Sequence, residues 1–230
     1  MNLTDLPVSR RVFLLEFTMH DLDPAQKFSV CISAALVTRK GERLASEFRA
    51  ALSGALSPEE IGELILQSLL FDGYPTALEA FLILQELIPE KLPAENRMEC
   101  YTGAQIEIWR DRGESLCRRI YGGNYECLMN NISAFSPTLQ EWMLLEGYGR
   151  VLARPSLPIQ LRELGIIAIL TVKNQPRQLH SHLRGGIHVG LSASQLEAAL
   201  SLCRDYTDPA NIAAARRILQ DVIVRKEGGS

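Results

Sequence analysis

Apolar residues return with the helical period of about 3.6 over much of the chain, and each such run opens on a helix-start signal. In "SPEEIGELILQSLLF", Ser57 stands where an N-cap is expected, Pro58 takes the first helical position, and Glu59 and Glu60 the first turn. Ile61, Leu64, Ile65 and Leu69 then form one apolar stripe. "SASQLEAALSLCRDY" repeats this grammar, from Ser192 as cap through Leu196, Ala199, Leu200 and Cys203, and "SPTLQEWMLLEGYGRVL" starts likewise at Ser136-Pro137. "IWRDRGESLCRRIYGGNYECL" predicts a helix ending near Gly122-Gly123. No pair of alternating runs joined by Asn-Gly or Asp-Gly predicts a β-hairpin. The expected fold class is all-α.

Two of these capped helices belong to an internal repeat. Arg43 to Ile61 aligns with Gln178 to Leu196 at an offset of 135, pairing Leu44 with Leu179, Arg49 with Arg184 and Ser57 with Ser192. Further on, "GYPTALEAFLIL" faces "TDPANIAAARRIL" with one residue inserted. Each half reads as helix, short turn, capped helix, Pro-bearing turn, helix, which implies duplication of a small helical domain. The stretch from Leu87 to Gly103 has two prolines and mixed charge, and the expected division is a first repeat over 1–90, a linker over 91–103 and a second repeat over 104–230.

Composition narrows the partners. The chain has 230 residues, 47% hydrophobic and 22% charged, with a net charge of −3. That balance is ordinary for a globular protein and supplies no basic field for nucleic acid. The apolar run near the N-terminus is short and interrupted by Glu16, so no signal peptide is expected. "LGIIAILTV", Leu164 to Val172, is the most apolar window and falls short of the roughly 18 residues a membrane span needs. The five cysteines form no C-x-x-C and are odd in number, which points to a reduced, cytoplasmic protein without a disulfide framework or zinc ribbon.

Three of the four histidines lie in "RQLHSHLRGGIHVG". On a helix, residues two apart diverge by about 200°, so His180 and His182 do not share a face. His188 takes a third bearing, and no H-E-x-x-H occurs; no metal site is expected. His182 is the candidate for chemistry, a histidine beside Gly185-Gly186, which permits close approach of another backbone or a ligand. A partly buried histidine bonded to a neighbouring carbonyl fits the same residues. Glu163 opens the preceding apolar helix, yet a simple antiparallel αα-hairpin places it nearer the end of the His182 helix than His182 itself.

At these residues the chain resembles the carboxymuconolactone decarboxylase family, which includes alkyl hydroperoxidase D-like (AhpD-like) proteins. The family pattern is a Glu, a Cys twelve residues on, a second Cys three later, a His four beyond and a Gly eight after that. Glu163, His182 and Gly190 match it, whereas the cysteine positions hold Gln175 and Gln178. In the first half the histidine position holds Glu47 and the glutamate position falls at Phe28, a degenerate copy. "EGYGRVLARPSLPIQLREL" looks like the segment preceding the family domain, and the likeness covers about 35–88 and 105–220.

The resemblance implies an AhpD-like helical fold and a homo-oligomer, a trimer whose six repeats imitate a hexamer of single domains and bury much of "LGIIAILTV" at interfaces. It implies a cytoplasmic lyase that decarboxylates a small carboxylated lactone or related acid without metal or organic cofactor. His182 and Glu163 would move the proton, and Arg184, Arg162 and Arg177 would hold substrate carboxylates. Because Arg184 recurs as Arg49, a structural ion pair is also expected of it. Two alternatives stand beside this: a non-catalytic scaffold or ligand-binding protein, and a peroxidase-related protein, which the missing cysteine pair disfavours.

Overall fold

Asp23 accepts a hydrogen bond from the backbone N–H of Gln26 while the Gln26 side chain answers to the Asp23 N–H, and this capping box opens helix α1, Pro24–Leu36. The structure, a computed structural model, describes residues 21–88 and 101–227. The apolar run near the N-terminus and most of the expected linker lie outside the described residues. After α1 come α2 (Gly41–Leu52) and α3 (Pro58–Leu87). α4 (Gly103–Tyr121), α5 (Tyr125–Phe135) and α6 (Pro137–Trp142) follow, and α6 runs into π-helical turns over Met143–Leu152. The chain continues through α7 (Ile159–Val172), α8 (Pro176–His188), α9 (Ala193–Leu202) and α10 (Pro209–Glu227). The described residues are helical and contain no strand, as the apolar period predicts.

The repeat is structural. Helices α1, α2 and α3 start at 24, 41 and 58; α7, α8 and α9 start at 159, 176 and 193, each 135 later. Ser57 and Ser192 both cap with the reciprocal box, toward Glu60 and Gln195. The halves differ at one joint. In the first, α3 passes through Gly73 at φ 81 and ψ 176 before Pro75, a backbone conformation that glycine adopts without steric cost. In the second, the chain breaks into a 3-10 turn at Cys203–Asp205 and restarts at Pro209.

Helices α1 and α7 pack side by side at the centre. From Leu161 to Thr171, α7 is buried on every face, so "LGIIAILTV" is covered within one chain rather than by an oligomer interface. The two apolar cores interlock. Leu157 and Leu161 join the cluster built on Phe48, Leu64 and Ile65, while Val30 and Ala34 of α1 join that around Ile167, Leu183 and Leu200. A buried ionic bridge ties the halves: Arg162 Nη2 donates to Glu63 Oε2 at 2.8 Å, and Arg154 Nε to Glu63 Oε1 at 2.8 Å.

α4 lies against the π-helical turns at two glycines. A Cβ on Gly149 would sit 2.0 Å from the Trp109 carbonyl oxygen, and one on Gly113 would sit 2.1 Å from that of Leu144. These obstacles are backbone and cannot swing aside. Gly149→Ala is therefore expected to cost about 3 kcal/mol, seen as a lower urea midpoint with an unchanged slope. A midpoint equal to wild type would show that the two elements separate freely.

Candidate active site

Glu163 stands one turn inside α7 and His182 in the middle of α8. Measured from the connecting turn, they differ in axial position by about one helical turn. Gly185 supplies the rest. It lies one turn beyond His182, and a Cβ there would come within 3.3 Å of Glu163 Oε2 and 2.7 Å of Ile120 Cγ2. The carboxylate occupies the space a side chain at 185 would take. As a result Glu163 Oε2 and His182 Nδ1 meet at 3.0 Å, both residues buried. The simple hairpin expectation that kept them apart is corrected by this missing side chain.

The dyad sits in an aromatic surround. Phe71, from the first half, meets the His182 ring edge-on with centroids 6.0 Å apart. The Tyr148 hydroxyl donates to the Tyr121 hydroxyl at 2.9 Å, and Glu163 lies close enough to act electrostatically on both phenols. Burial pushes Tyr121 up to about 12, with the Tyr148 bond pulling the other way, and burial raises Tyr148 well above the usual phenol value. Both are neutral hydrogen-bond donors at physiological pH, and Tyr121 keeps its own hydrogen for a further acceptor. The sequence marks neither Tyr121 nor Tyr148 for the site, because aromatics within helical segments read as core.

Unsatisfied valence marks the site. Glu163 Oε1 is buried without a hydrogen-bond partner among the described residues, an unusual state for a carboxylate oxygen. With Nδ1 engaged by Glu163, His182 presents Nε2 as its second edge. His188 goes elsewhere: its Nδ1 donates to the Ile120 carbonyl at 2.7 Å, satisfying the C-terminal end of α4. His180 is half-buried two residues before His182 on α8.

The three arginines expected around the dyad separate. Arg184 is half-buried and near enough to Tyr121 to lower its pKa. Neither Arg184 nor Arg49 forms an ion pair among the described residues, so the expected structural bridge is absent there. Arg177 is exposed on the first turn of α8. Arg162 points the other way: next to Glu163 in sequence, it is rotated about 100° around α7 and spends its charge on Glu63. It is 1% exposed, and burial lowers its pKa against the pull of Glu63, which makes it part of the bridge between halves.

The first copy repeats the arrangement with other groups. Glu47, at the histidine position, accepts a hydrogen bond from Tyr206 at 2.6 Å. Arg43 lies over the Tyr206 ring at 4.0 Å and 3.9 Å from Glu47. Tyr206 is the repeat equivalent of Phe71 at the offset of 135, so each half lends one aromatic to the other's site. Thiol chemistry has no counterpart at the family positions. Gln175 and Gln178 are exposed at the start of α8, while burial raises Cys31 to about 11 and Cys117 to about 12 and pushes Cys203 upward too.

Residues 10–86 and 137–221 match the carboxymuconolactone decarboxylase family, more than half of the chain. The chain belongs to this family. It is also 28% identical over 103 residues to 4-carboxymuconolactone decarboxylase of Acinetobacter baylyi, a match covering 43% of this chain and 77% of that protein. The first segment takes in α1, α2 and nearly all of α3, and the second takes in α7, α8 and α9 and carries Glu163 and His182. Among the described residues no helix is long and apolar enough to cross a membrane.

Proposed function

We propose that the chain is a cofactor-free decarboxylase acting on a small carboxylated lactone or a related acid, with Glu163 and His182 as its proton-transfer pair. The observation that carries this is the buried 3.0 Å contact between them, and the similarity to 4-carboxymuconolactone decarboxylase supports the substrate class. When the C–CO2 bond breaks, its electron pair passes into the substrate's conjugated carbonyl. The resulting enolate takes a proton at carbon from His182 Nε2, and water restores that proton to the imidazole. Glu163 holds Nδ1–H and stabilises the imidazolium that stands ready to donate. Tyr121 donates to the enolate oxygen, and Arg184 serves a substrate carboxylate. Arg177, on the exposed start of α8, is the outer candidate for a second carboxylate.

A cytoplasmic location and a homotrimer belong to the same proposal. Tyr74, Leu78 and Leu82 support the oligomer, as an exposed apolar stripe at four-residue spacing on α3. Release of CO2 from a panel of γ-lactones bearing carboxylates tests the activity, using protein freed of metals. Stoichiometric CO2 and decarboxylated product are expected. Binding of these lactones without turnover would instead favour a ligand-binding member of the family.

A further inference from the structure

Helix α4 carries four arginines that divide into two kinds. Arg110 is held by Glu141 at 3.3 Å and Glu107 at 4.0 Å. Arg118 is held by Glu114 and Glu126, each at 2.8 Å. Arg112 and Arg119 make no hydrogen bond or ion pair among the described residues. Together with Ser115 they occupy positions i, i+3 and i+7, one face of the helix. That face looks onto the segment leaving the π-helical turns, and the two border an open cleft of about 570 Å³.

The cleft combines a cationic wall with an apolar floor. Leu116, Leu152, Leu157 and Ile159 line it together with Pro155 and Pro158. Arg154 also borders it, but its guanidinium is held by Glu63, and Asp111 brings the one carboxylate to the rim. The Cα atoms of Arg112 and Arg119 stand about 10 Å apart along the helix axis. Side chains of that length are long enough to reach a single group bound above Ser115, where two guanidinium forks and a hydroxyl would match an oxyanion with several acceptor oxygens. The volume suits a small molecule rather than a polymer.

We infer that this cleft binds a small organic dianion, an oxyanion head group such as a phosphate monoester or a dicarboxylate carried on an apolar body. It lies on the face of α4 turned away from Cys117 and Ile120, which are buried in the core toward His182, and it is a site separate from the Glu163–His182 pair.

Calorimetric titration of the full chain at low ionic strength with phenyl phosphate and with phenylsuccinate tests this, with benzyl alcohol as the uncharged control. At least one of the two dianions is expected to bind at one site, and benzyl alcohol at least tenfold more weakly. The double variant Arg112→Gln/Arg119→Gln should lose at least tenfold in affinity while melting at the wild-type temperature. Arg110→Gln/Arg118→Gln should bind as wild type, and so should Arg184→Gln, which removes the cation assigned to substrate carboxylates beside the Glu163–His182 pair. Which dianion binds the tighter identifies the head group. Failure of both to bind wild type, undiminished binding in the first double variant, an equal loss in the second, or loss in Arg184→Gln would each overturn the assignment.

Discussion

His182→Gln is expected to lower turnover by roughly 10²- to 10⁴-fold, the range for removing a positioned general acid–base group, while the protein still folds. Glutamine is close in size and can still donate to Glu163 through its amide, so the aromatic surround of Phe71, Tyr121 and Tyr148 stays in place. The loss should fall on kcat, because the imidazole is used when the carbanion is protonated and not to hold substrate. Glu163→Gln should also lower kcat, though less. A neutral amide keeps the contact with Nδ1 but no longer stabilises the imidazolium, and its extra hydrogens face a site built around a carboxylate. Wild-type kcat in either variant would remove the pair from the chemistry.

The largest effect on stability is expected at Glu63. Its carboxylate answers to Arg162 at 2.8 Å and Arg154 at 2.8 Å, and it is 1% exposed. Glu63→Ala leaves the fully buried Arg162 guanidinium, whose Nε and Nη1 already lack partners among the described residues, without its counter-charge. Breaking a buried pair in this way costs about 3–5 kcal/mol. For a chain of this size each kcal/mol lowers Tm by about 2–4 °C, so a fall of about 6–20 °C should be seen by calorimetry. Glu63→Met combined with Arg162→Met should recover much of the loss, since it removes both buried charges together. A fall under about 2 °C for Glu63→Ala would mean the bridge is not what joins the halves.

Much of the scaffold is legible in the chain. Ser57 and Ser192 mark two helix starts one repeat apart, and the same offset carries over to α1 and α7, whose starts have no such conspicuous cap in the second half. Gln175 and Gln178 declare in one dimension that the thiol pair is missing. The site itself is less legible because it depends on what side chains do across helices. Glu163 reaches His182 through the space left by Gly185, and a glycine does not announce which neighbour fills its vacancy. Arg162 looks like a partner of Glu163 only in sequence; one residue on a helix turns it toward Glu63, 99 positions away. Tyr121 and Tyr148 come from helices that pair through Gly113 and Gly149, and two phenols 27 residues apart carry no spacing that marks them as neighbours. The cross-lending of Phe71 and Tyr206 becomes visible only once the two halves are seen to pack on each other.

The most direct measurement follows the proton. A carboxylated lactone that releases CO2 with this protein is turned over in D2O, and the product is read by proton NMR for wild type and for His182→Gln. Wild type is expected to place one deuterium, in a single configuration, on the carbon that lost the carboxylate, and the variant to form that product at least about 100-fold more slowly. Equal rates in the two proteins, or deuterium in both configurations from the wild type, would contradict proton delivery by the Glu163–His182 pair.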